Sequence, residues 1–133
     1  MKNRHALLYS SLILVALLYA LHVLANEYSL YWQYWWFDVI NHFLAGFAGG
    51  LAAYWILYHS GIGRATLPHS SANSIFVVTA CVLVAGLGWE YLEYYLNLTD
   101  SHEGYILDVV NDLILDGSGG ALAALIGLRK RTS

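Results

Sequence analysis

Four long apolar stretches constrain this chain more than any other feature of its sequence. They cover residues 7–25, 37–58, 74–97 and 105–128, and the shortest has 19 residues. A helix needs about 20 apolar residues to cross the hydrocarbon core of a bilayer. None of the stretches alternates with period two, so helices rather than a β-barrel are expected to satisfy the backbone in lipid. The predicted fold class is all-α, an integral membrane four-helix bundle forming a single transmembrane domain over residues 1–133.

The composition excludes several other classes of protein. Charged residues make up only 11% of the chain, whereas soluble domains carry about 25%. The single cysteine, Cys81, excludes an internal disulfide framework and a cysteine-rich zinc site. A net charge of −3 provides no basic surface, so we expect no nucleic-acid partner. Lys2 and Arg4 before the first stretch are also typical of a signal peptide, but 19 apolar residues is long for one, and we expect a retained helix.

The positive charges all fall on one side of the predicted bundle. They are Lys2 and Arg4 before the first span, Arg64 between the second and third, and Arg129, Lys130 and Arg131 after the fourth. This positive-inside pattern predicts that both termini are cytoplasmic. Tyrosines and tryptophans crowd the opposite side at residues 28–37, as in an interfacial aromatic belt. We therefore expect a multi-pass protein of a bacterial or archaeal cytoplasmic (inner) membrane, surrounded by membrane lipids.

Small residues mark helix faces that can approach one another closely. Gly46 and Gly50 form a GxxxG step on the second span, and the fourth span is rich in glycine and alanine. Such residues allow close packing of transmembrane helices. We expect ordinary packing within the bundle, and the same faces offer a surface through which two copies could form a homo-oligomer.

Ionisable residues lie inside the predicted spans, where a carboxylate costs at least about 2.5–3.5 kcal/mol and usually marks a functional site. They are His22, Asp38, His42, Glu90, Glu93, Asp108, Asp112 and Asp116. At about 1.5 Å per residue, the two histidines and the carboxylates of the third and fourth spans lie about 5–16 Å below the outer helix ends. The members from each helix also share one helix face. Helices of alternating direction thus place these groups in one layer of the outer leaflet.

This layer contains six carboxylates and neither lysine nor arginine. Six neighbouring anions cannot coexist in a low dielectric, so either several are protonated or cations neutralise them. Carboxylates with imidazole suit Zn, Fe or Mn, and oxygen-only subsets suit Mg or Ca. The predicted cofactor is a divalent metal ion, and its predicted ligands are His42, Glu90, Glu93, Asp108, Asp112 and Asp116. A proton or cation relay and a structural hydrogen-bond cluster are the alternatives.

Four-helix bundles also hold carboxylate-bridged two-metal sites, although the spacings here differ from the Glu-x-x-His signature of those sites. Asp38 and Glu93 are the predicted catalytic residues, each a candidate general base. Asp38 is equally suited to capping its helix, and Asp116 could satisfy backbone groups within the bundle. His22 is better explained as a hydrogen-bonded core histidine than as a ligand. Two amides that could support the ligands are Asn41 and Asn111.

Three elements in order make up a recognisable pattern. The first is Asp38-Val-Ile-Asn-His42-Phe, the second is Glu90-Tyr-Leu-Glu93, and the third is Asp108-Val-Val-Asn-Asp112 followed by glycines. Over residues 36–127 this pattern resembles the VanZ-like and YjdF-like families of small bacterial membrane proteins, with Asp116 as a departure from it. The resemblance implies a polar site in the membrane rather than a particular reaction. VanZ itself is linked to glycopeptide resistance, which is a cell-envelope setting.

Three functions are compatible with such a site. The first is a metal-dependent hydrolase, in which the metal activates water against a lipid or lipid-linked envelope substrate. The second is a divalent-cation or proton transporter, which is disfavoured because the inner halves of the spans offer few polar groups, namely Ser10, Ser11, Thr79 and Cys81. The third is a non-catalytic structural subunit of a membrane complex. A haem held by His22 and His42 would leave the carboxylates unexplained.

The enzyme hypothesis makes a structural demand that the other hypotheses do not. Catalysis at a metal needs an open coordination position. We therefore expect the site to open outward, between the loop near Trp35 and residues 100–104.

Overall fold

The computed structural model describes residues 5–62, 70–96 and 104–132, and this part of the chain forms helices and no strand. Its long helices are α1 (Ala6–Glu27), α3 (Trp35–Tyr58), α4 (Ser71–Leu96) and α5 (Tyr105–Thr132), and a single turn, α2 (Leu30–Gln33), precedes α3. Each long helix is long and apolar enough to cross a membrane. The predicted all-α membrane four-helix bundle is thereby confirmed.

The long helices extend a few residues beyond the predicted spans, as at the end of α5, and one short helix was not predicted. The third long helix begins at Ser71 rather than at residue 74, because its polar first residues continue the helix beyond the apolar segment. The loop between the first two spans contains α2, which has no hydropathy signal of its own. Ser29 adopts a left-handed φ of 54°, a conformation rarely taken by residues other than glycine, and it turns the chain from α1 into α2.

The central helix of the bundle is α3, because it packs against α1, α4 and α5. α5 in turn packs against both α3 and α4. α1 lies outside this trio, and its only buried residues are Leu7, Ser11 and Ala25. Ser11 Oγ donates a hydrogen bond to the Ala48 carbonyl oxygen at 2.8 Å, which links α1 to α3.

Glycines determine how the three central helices align. α3 and α5 run parallel, with the backbone of Asp116 against Gly46 and the backbone of Gly120 against Gly50. α4 runs antiparallel to α5. A Cβ added at Gly120 would lie 3.0 Å from Val82 Cγ2, and one added at Gly86 would lie 2.5 Å from Asp116 Oδ2. Small residues thus set both helix registers.

The apolar core lies toward the carboxyl ends of α3 and α5, which we call the inner half of the bundle. Leu51, Tyr54, Val78, Ala123 and Ala124 are each at most 3% exposed there. Lipid is as apolar as these side chains, so close packing rather than transfer from water is expected to hold them together. The opposite, outer half contains the predicted carboxylate layer.

Candidate metal centre

The helix registers place three ionisable residues at one level of the bundle. Starting from the contact of Gly86 with Asp116, one turn outward leads to Glu90 on α4 and to Asp112 on α5. One turn outward from Gly46 on α3 leads to His42, and the contact of His42 with Asp112 confirms that register. His42, Glu90 and Asp112 are all buried. The packing of α3, α4 and α5 thus places these three residues at one level of the bundle.

Both ring nitrogens of His42 face carboxylates. Nε2 lies 3.6 Å from Asp38 Oδ1 and 3.7 Å from Asp112 Oδ2, and Nδ1 lies 3.6 Å from Asp116 Oδ1. The Asp112 and Asp116 side chains are each 7% exposed, whereas that of Asp38 is 37% exposed. The buried side of this cluster faces α5, and its accessible side is at Asp38.

The spacing around Nε2 is longer than direct hydrogen bonds and is compatible with a bound cation. Hydrogen bonds from nitrogen to oxygen usually span about 2.7–3.2 Å, so distances of 3.6 and 3.7 Å are long for them. Ligands at about 2.1 Å from a tetrahedral metal lie about 3.4 Å from one another. Asp38, His42 and Asp112 each offer a ligand atom within 4.8 Å of the other two. These three residues form a possible metal-binding group.

Asp116 lies on the other side of the imidazole. A metal-bound histidine usually donates its second ring N–H to a carboxylate, which fixes the tautomer and the ring orientation. Asp116 Oδ1 faces Nδ1 of His42 at 3.6 Å, a distance that is likewise long for a direct hydrogen bond, so it could accept that proton only if the two side chains moved slightly closer. The sequence suggested Asp116 as a metal ligand. The structure instead places it at Nδ1 of His42, on the side of the imidazole that faces away from the possible metal-binding group. Asp38, predicted as a base, lies instead in the possible ligand group.

Glu90 is the most buried carboxylate of the layer that the structure describes. It is 2% exposed, and neither of its carboxylate oxygens has a hydrogen-bond partner among the described residues. It does not belong to the group around Nε2 of His42. Glu90 therefore shares the level of the possible metal group without belonging to it.

The other two predicted ligands lie nearer the outer end of the bundle. Glu93 is half-buried on α4, one helical turn beyond Trp89. Asp108 is half-buried in the first turn of α5. Neither residue belongs to the group formed by Asp38, His42 and Asp112. Whether any of the six predicted residues binds a metal stays a prediction.

A hydrogen-bond network beside the site includes Asn26 and Tyr31, which the sequence did not indicate as site residues. Asn26 Nδ2 lies 2.9 Å from the His22 carbonyl oxygen and 3.0 Å from His22 Nε2, so it donates to both and Nε2 is an acceptor. Nδ1 of His22 then carries the proton and donates to the Tyr31 hydroxyl at 2.9 Å. Asn41 Nδ2 donates to the same hydroxyl at 3.4 Å. His22 is thus a hydrogen-bonded histidine, as the sequence analysis expected.

The Tyr31 hydroxyl lies close to the acidic layer. Its burial, together with the negative charges of Asp38 and Glu93, raises the pKa of Tyr31 to about 12. In the sequence Tyr31 was one of many aromatic residues in the outer loop, and no periodicity distinguished it. The turn α2 brings it over α1 and α3. On the other side of the expected opening, residues 97–103 lie outside the described residues.

Comparison with known proteins places the chain within a family. Residues 1–133 match the family model described as "Predicted membrane protein (DUF2238)". No curated protein matches the chain, and no solved structure matches it. The specific resemblance to VanZ-like and YjdF-like proteins is not confirmed by this match. The chain belongs to the DUF2238 family of predicted membrane proteins.

Proposed function

We propose that this protein is a divalent-metal-dependent hydrolase that acts on a lipid or lipid-linked substrate at the outer surface of its membrane. One observation carries the proposal. Nε2 of a buried histidine, His42, faces Asp38 and Asp112 at metal-ligand spacing while Asp116 faces its Nδ1. This arrangement supplies three ligands and a carboxylate that selects the metal-binding tautomer.

The uneven burial of these ligands supports an open coordination position. Three protein ligands plus water is the usual arrangement at a catalytic zinc, whereas structural sites are closed by four protein ligands. His42 and Asp112 are buried, and the partly exposed Asp38 lies between them and the outer surface. Water or a substrate oxygen could reach the cation on that side. Imidazole with carboxylates suits Zn²⁺, Fe²⁺ or Mn²⁺.

The chemistry expected of such a site is metal-assisted hydrolysis. A cation lowers the pKa of a bound water and polarises the substrate's phosphoryl or carbonyl oxygen. Glu93 is the general-base candidate, because Asp38 is used as a ligand in this proposal and Glu93 is a half-buried carboxylate one turn outward of Glu90 on α4. The base takes a proton from water, the hydroxide bonds to phosphorus or carbon, and the ester bond breaks. The leaving oxygen then takes up that proton.

The depth of the site suggests the class of substrate. α3 begins at Trp35, three residues before Asp38, so Asp38 lies about 5 Å along the helix from its outer end. Exposed aromatic residues surround this level, including Trp35 and Trp36, as at the headgroup region of a bilayer. Lipid headgroups carry esters and phosphoesters at this depth. A lipid or lipid-linked molecule could therefore present its ester to the cation from the side.

Transport of a cation or proton is a second candidate, and buried hydroxyls favour it. Tyr58, Ser74 and Thr79 have buried oxygens without hydrogen-bond partners among the described residues. Of these three residues, only Thr79 is among the inner polar groups identified from the sequence. None of them carries a charge at neutral pH, and they adjoin an apolar core that includes Leu51 and Val78. We therefore favour hydrolysis at the surface, and a flux assay in proteoliposomes tests the alternative.

Metal content and hydrolysis can be tested on the same preparation. We expect detergent-purified protein to bind Mn²⁺ or Zn²⁺, and His42→Ala and Asp112→Asn to lower that affinity at least about tenfold. His59→Ala, at the opposite end of α3, is the matched control. With metal, the protein should release headgroups or fatty acids from bacterial lipid vesicles, as measured by mass spectrometry, and a chelator should stop the release.

Two results would overturn parts of the proposal. If neither metal binds, or if His42→Ala binds it as the wild type does, the metal centre is wrong. If metal binds at His42 but no lipid ester or phosphoester is cleaved, the site is not that of a lipid hydrolase.

A further inference from the structure

Glu90 is a buried carboxylate for which the proposed single metal site gives no role. It is 2% exposed, and both of its oxygens have no hydrogen-bond partner among the described residues. A carboxylate removed from water without a partner is strongly unfavourable, and buried charges are normally paired or bound to a metal. The structure therefore calls for a group that faces Glu90.

Packing identifies what surrounds this side chain. Gly86, one turn inward of Glu90, faces the carboxylate of Asp116, and the same register places Glu90 level with Asp112. Electrostatic interactions connect Glu90 with His42 and with four acidic residues of the layer, namely Glu93, Asp108, Asp112 and Asp116. Glu90 thus faces the acidic side of α5 rather than the surface of the bundle.

The first cation does not account for Glu90. The ligand atoms that lie within 4.8 Å of one another belong to Asp38, His42 and Asp112, and Glu90 is not among them. The layer contains six carboxylates and no lysine or arginine. If all six are ionised, one divalent cation leaves four negative charges uncompensated in a low dielectric, which is unfavourable.

We propose that Glu90 binds a second divalent cation beside the first, with Asp112 as the carboxylate shared between them. This inference rests on the proposed function, since it assumes a cation at His42. In binuclear sites the two metals lie about 3.5–4 Å apart and are bridged by carboxylate or water. Asp112 is placed for that role, because one of its oxygens faces Nε2 of His42 and the residue lies level with Glu90. The second cation supplies the buried partner that Glu90 lacks.

The number of bound ions and their mutual distance test this proposal directly. Mn²⁺ is the probe, because two Mn²⁺ ions bridged at about 4 Å give an exchange-coupled electron paramagnetic resonance spectrum, whereas a single ion gives six separate lines. We expect two Mn²⁺ per wild-type chain with a coupled spectrum. Glu90→Gln should bind one Mn²⁺ and give the uncoupled spectrum. Glu27→Gln, a carboxylate at the end of α1, should behave as the wild type does.

Two coupled ions that remain in a folded Glu90→Gln variant would exclude Glu90 as a ligand and overturn the proposal. One uncoupled Mn²⁺ in the wild type overturns the second site, whether Glu90→Gln retains that ion or loses it, and leaves the proposed function standing. Two uncoupled ions exclude a shared carboxylate and overturn the proposal. No bound Mn²⁺ or Zn²⁺ overturns the proposed function together with this inference. Should Glu90→Gln fail to fold, as judged by gel filtration and circular dichroism, the wild-type spectrum decides alone.

Discussion

The two ring nitrogens of His42 have different surroundings, and in the proposed site this difference decides which of them binds the metal. Nε2 faces Asp38 and Asp112, whereas Nδ1 faces Asp116 alone. In the proposed site, an ionised Asp116 favours the tautomer with the proton on Nδ1, and Nε2 then keeps its lone pair. The identity of one residue behind the ring therefore controls the ligand in front of it.

Replacing Asp116 with asparagine tests this role. An asparagine amide lacks the negative charge that holds the proton on Nδ1, and its N–H can donate to Nδ1 instead, which favours the tautomer with the proton on Nε2 and weakens metal binding. We expect Asp116→Asn to lower Mn²⁺ or Zn²⁺ affinity by about 10- to 100-fold, measured by titration calorimetry. Glu27→Gln, a carboxylate at the end of α1, is the control. Unchanged affinity in Asp116→Asn would show that Asp116 does not set the tautomer.

Tyr31 gives a second prediction at the scale of one residue. Burial and the charges of Asp38 and Glu93 raise the pKa of Tyr31 to about 12, compared with about 10 in an unfolded chain. The folded state thus favours the protonated phenol, and this stabilisation is complete below about pH 10 and lost as the pH rises toward 12. Between about pH 10 and pH 12, the free energy of unfolding of the wild type should therefore fall more than that of the Tyr31→Phe variant.

At neutral pH the same variant should be less stable than the wild type, because His22 and Asn41 lose their acceptor. The expected loss in the free energy of unfolding is about 0.5–1.5 kcal/mol. Thermal unfolding in detergent at neutral and alkaline pH measures both effects, with Tyr28→Phe, an exposed tyrosine of the same loop, as the control. Parallel alkaline profiles for wild type and Tyr31→Phe would contradict the assignment.

At the scale of helices, the contact between α3 and α5 depends on glycine. A Cβ at Gly46 would overlap the Asp116 backbone, whereas one at Gly49 on the same helix would lie 3.9 Å from Val82 Cγ2, an ordinary contact. The overlap involves backbone, so no side-chain rotation can relieve it. The helices must move apart, and Asp116 would then move away from His42.

A pair of alanine substitutions on α3 tests this dependence. Gly46→Ala should lower the free energy of unfolding by about 1–3 kcal/mol through overpacking. Gly49→Ala should be neutral or stabilising, since alanine is favoured over glycine in a helix by about 1 kcal/mol. Melting temperatures in detergent compare the two. Equal melting temperatures would mean that α3 and α5 do not approach closely at Gly46.

For the molecule as a whole, orientation in the membrane is predicted by charge. All six Lys and Arg residues lie at the chain ends or in the loop after α3, so this side should be cytoplasmic. In a Cys81→Ser background, Gln33→Cys should react with an impermeant maleimide in intact cells. Ile62→Cys should react only after the membrane is permeabilised. Labelling of both cysteines from one side would refute the four-span topology.

Metal binding should also stabilise the whole bundle, because the ligands come from α3 and α5 and converge only when the fold is intact. A ligand that binds only the folded state contributes about 2.7 kcal/mol at 100 times its dissociation constant. We expect a higher melting temperature with Mn²⁺ or Zn²⁺ and reversal by a chelator. The gain should shrink as the pH falls, since protons compete for the ligands. His42→Ala should show no metal-dependent gain.

Much of this architecture follows from sequence alone. Hydropathy identifies the four helices because a backbone in lipid must satisfy its own hydrogen bonds. The constant rise of a helix then fixes the depth of each residue before any packing is known. For that reason the shared level of His42, Glu90 and Asp112 could be predicted from residue numbers and helix directions.

Only the tertiary structure decided which side chains face one another within that level. Helix rotation and register depend on where glycine permits close approach, and a glycine-rich helix such as α5 offers several such faces. Contact between Gly46 and Asp116 turns the Asp116 carboxylate toward Nδ1 of His42, a position that no spacing along the chain implies. Likewise, Tyr31 reaches the site through the turn α2, and a four-residue helix carries no periodic signal. Sequence thus determined the elements and their depths, whereas packing determined the partners.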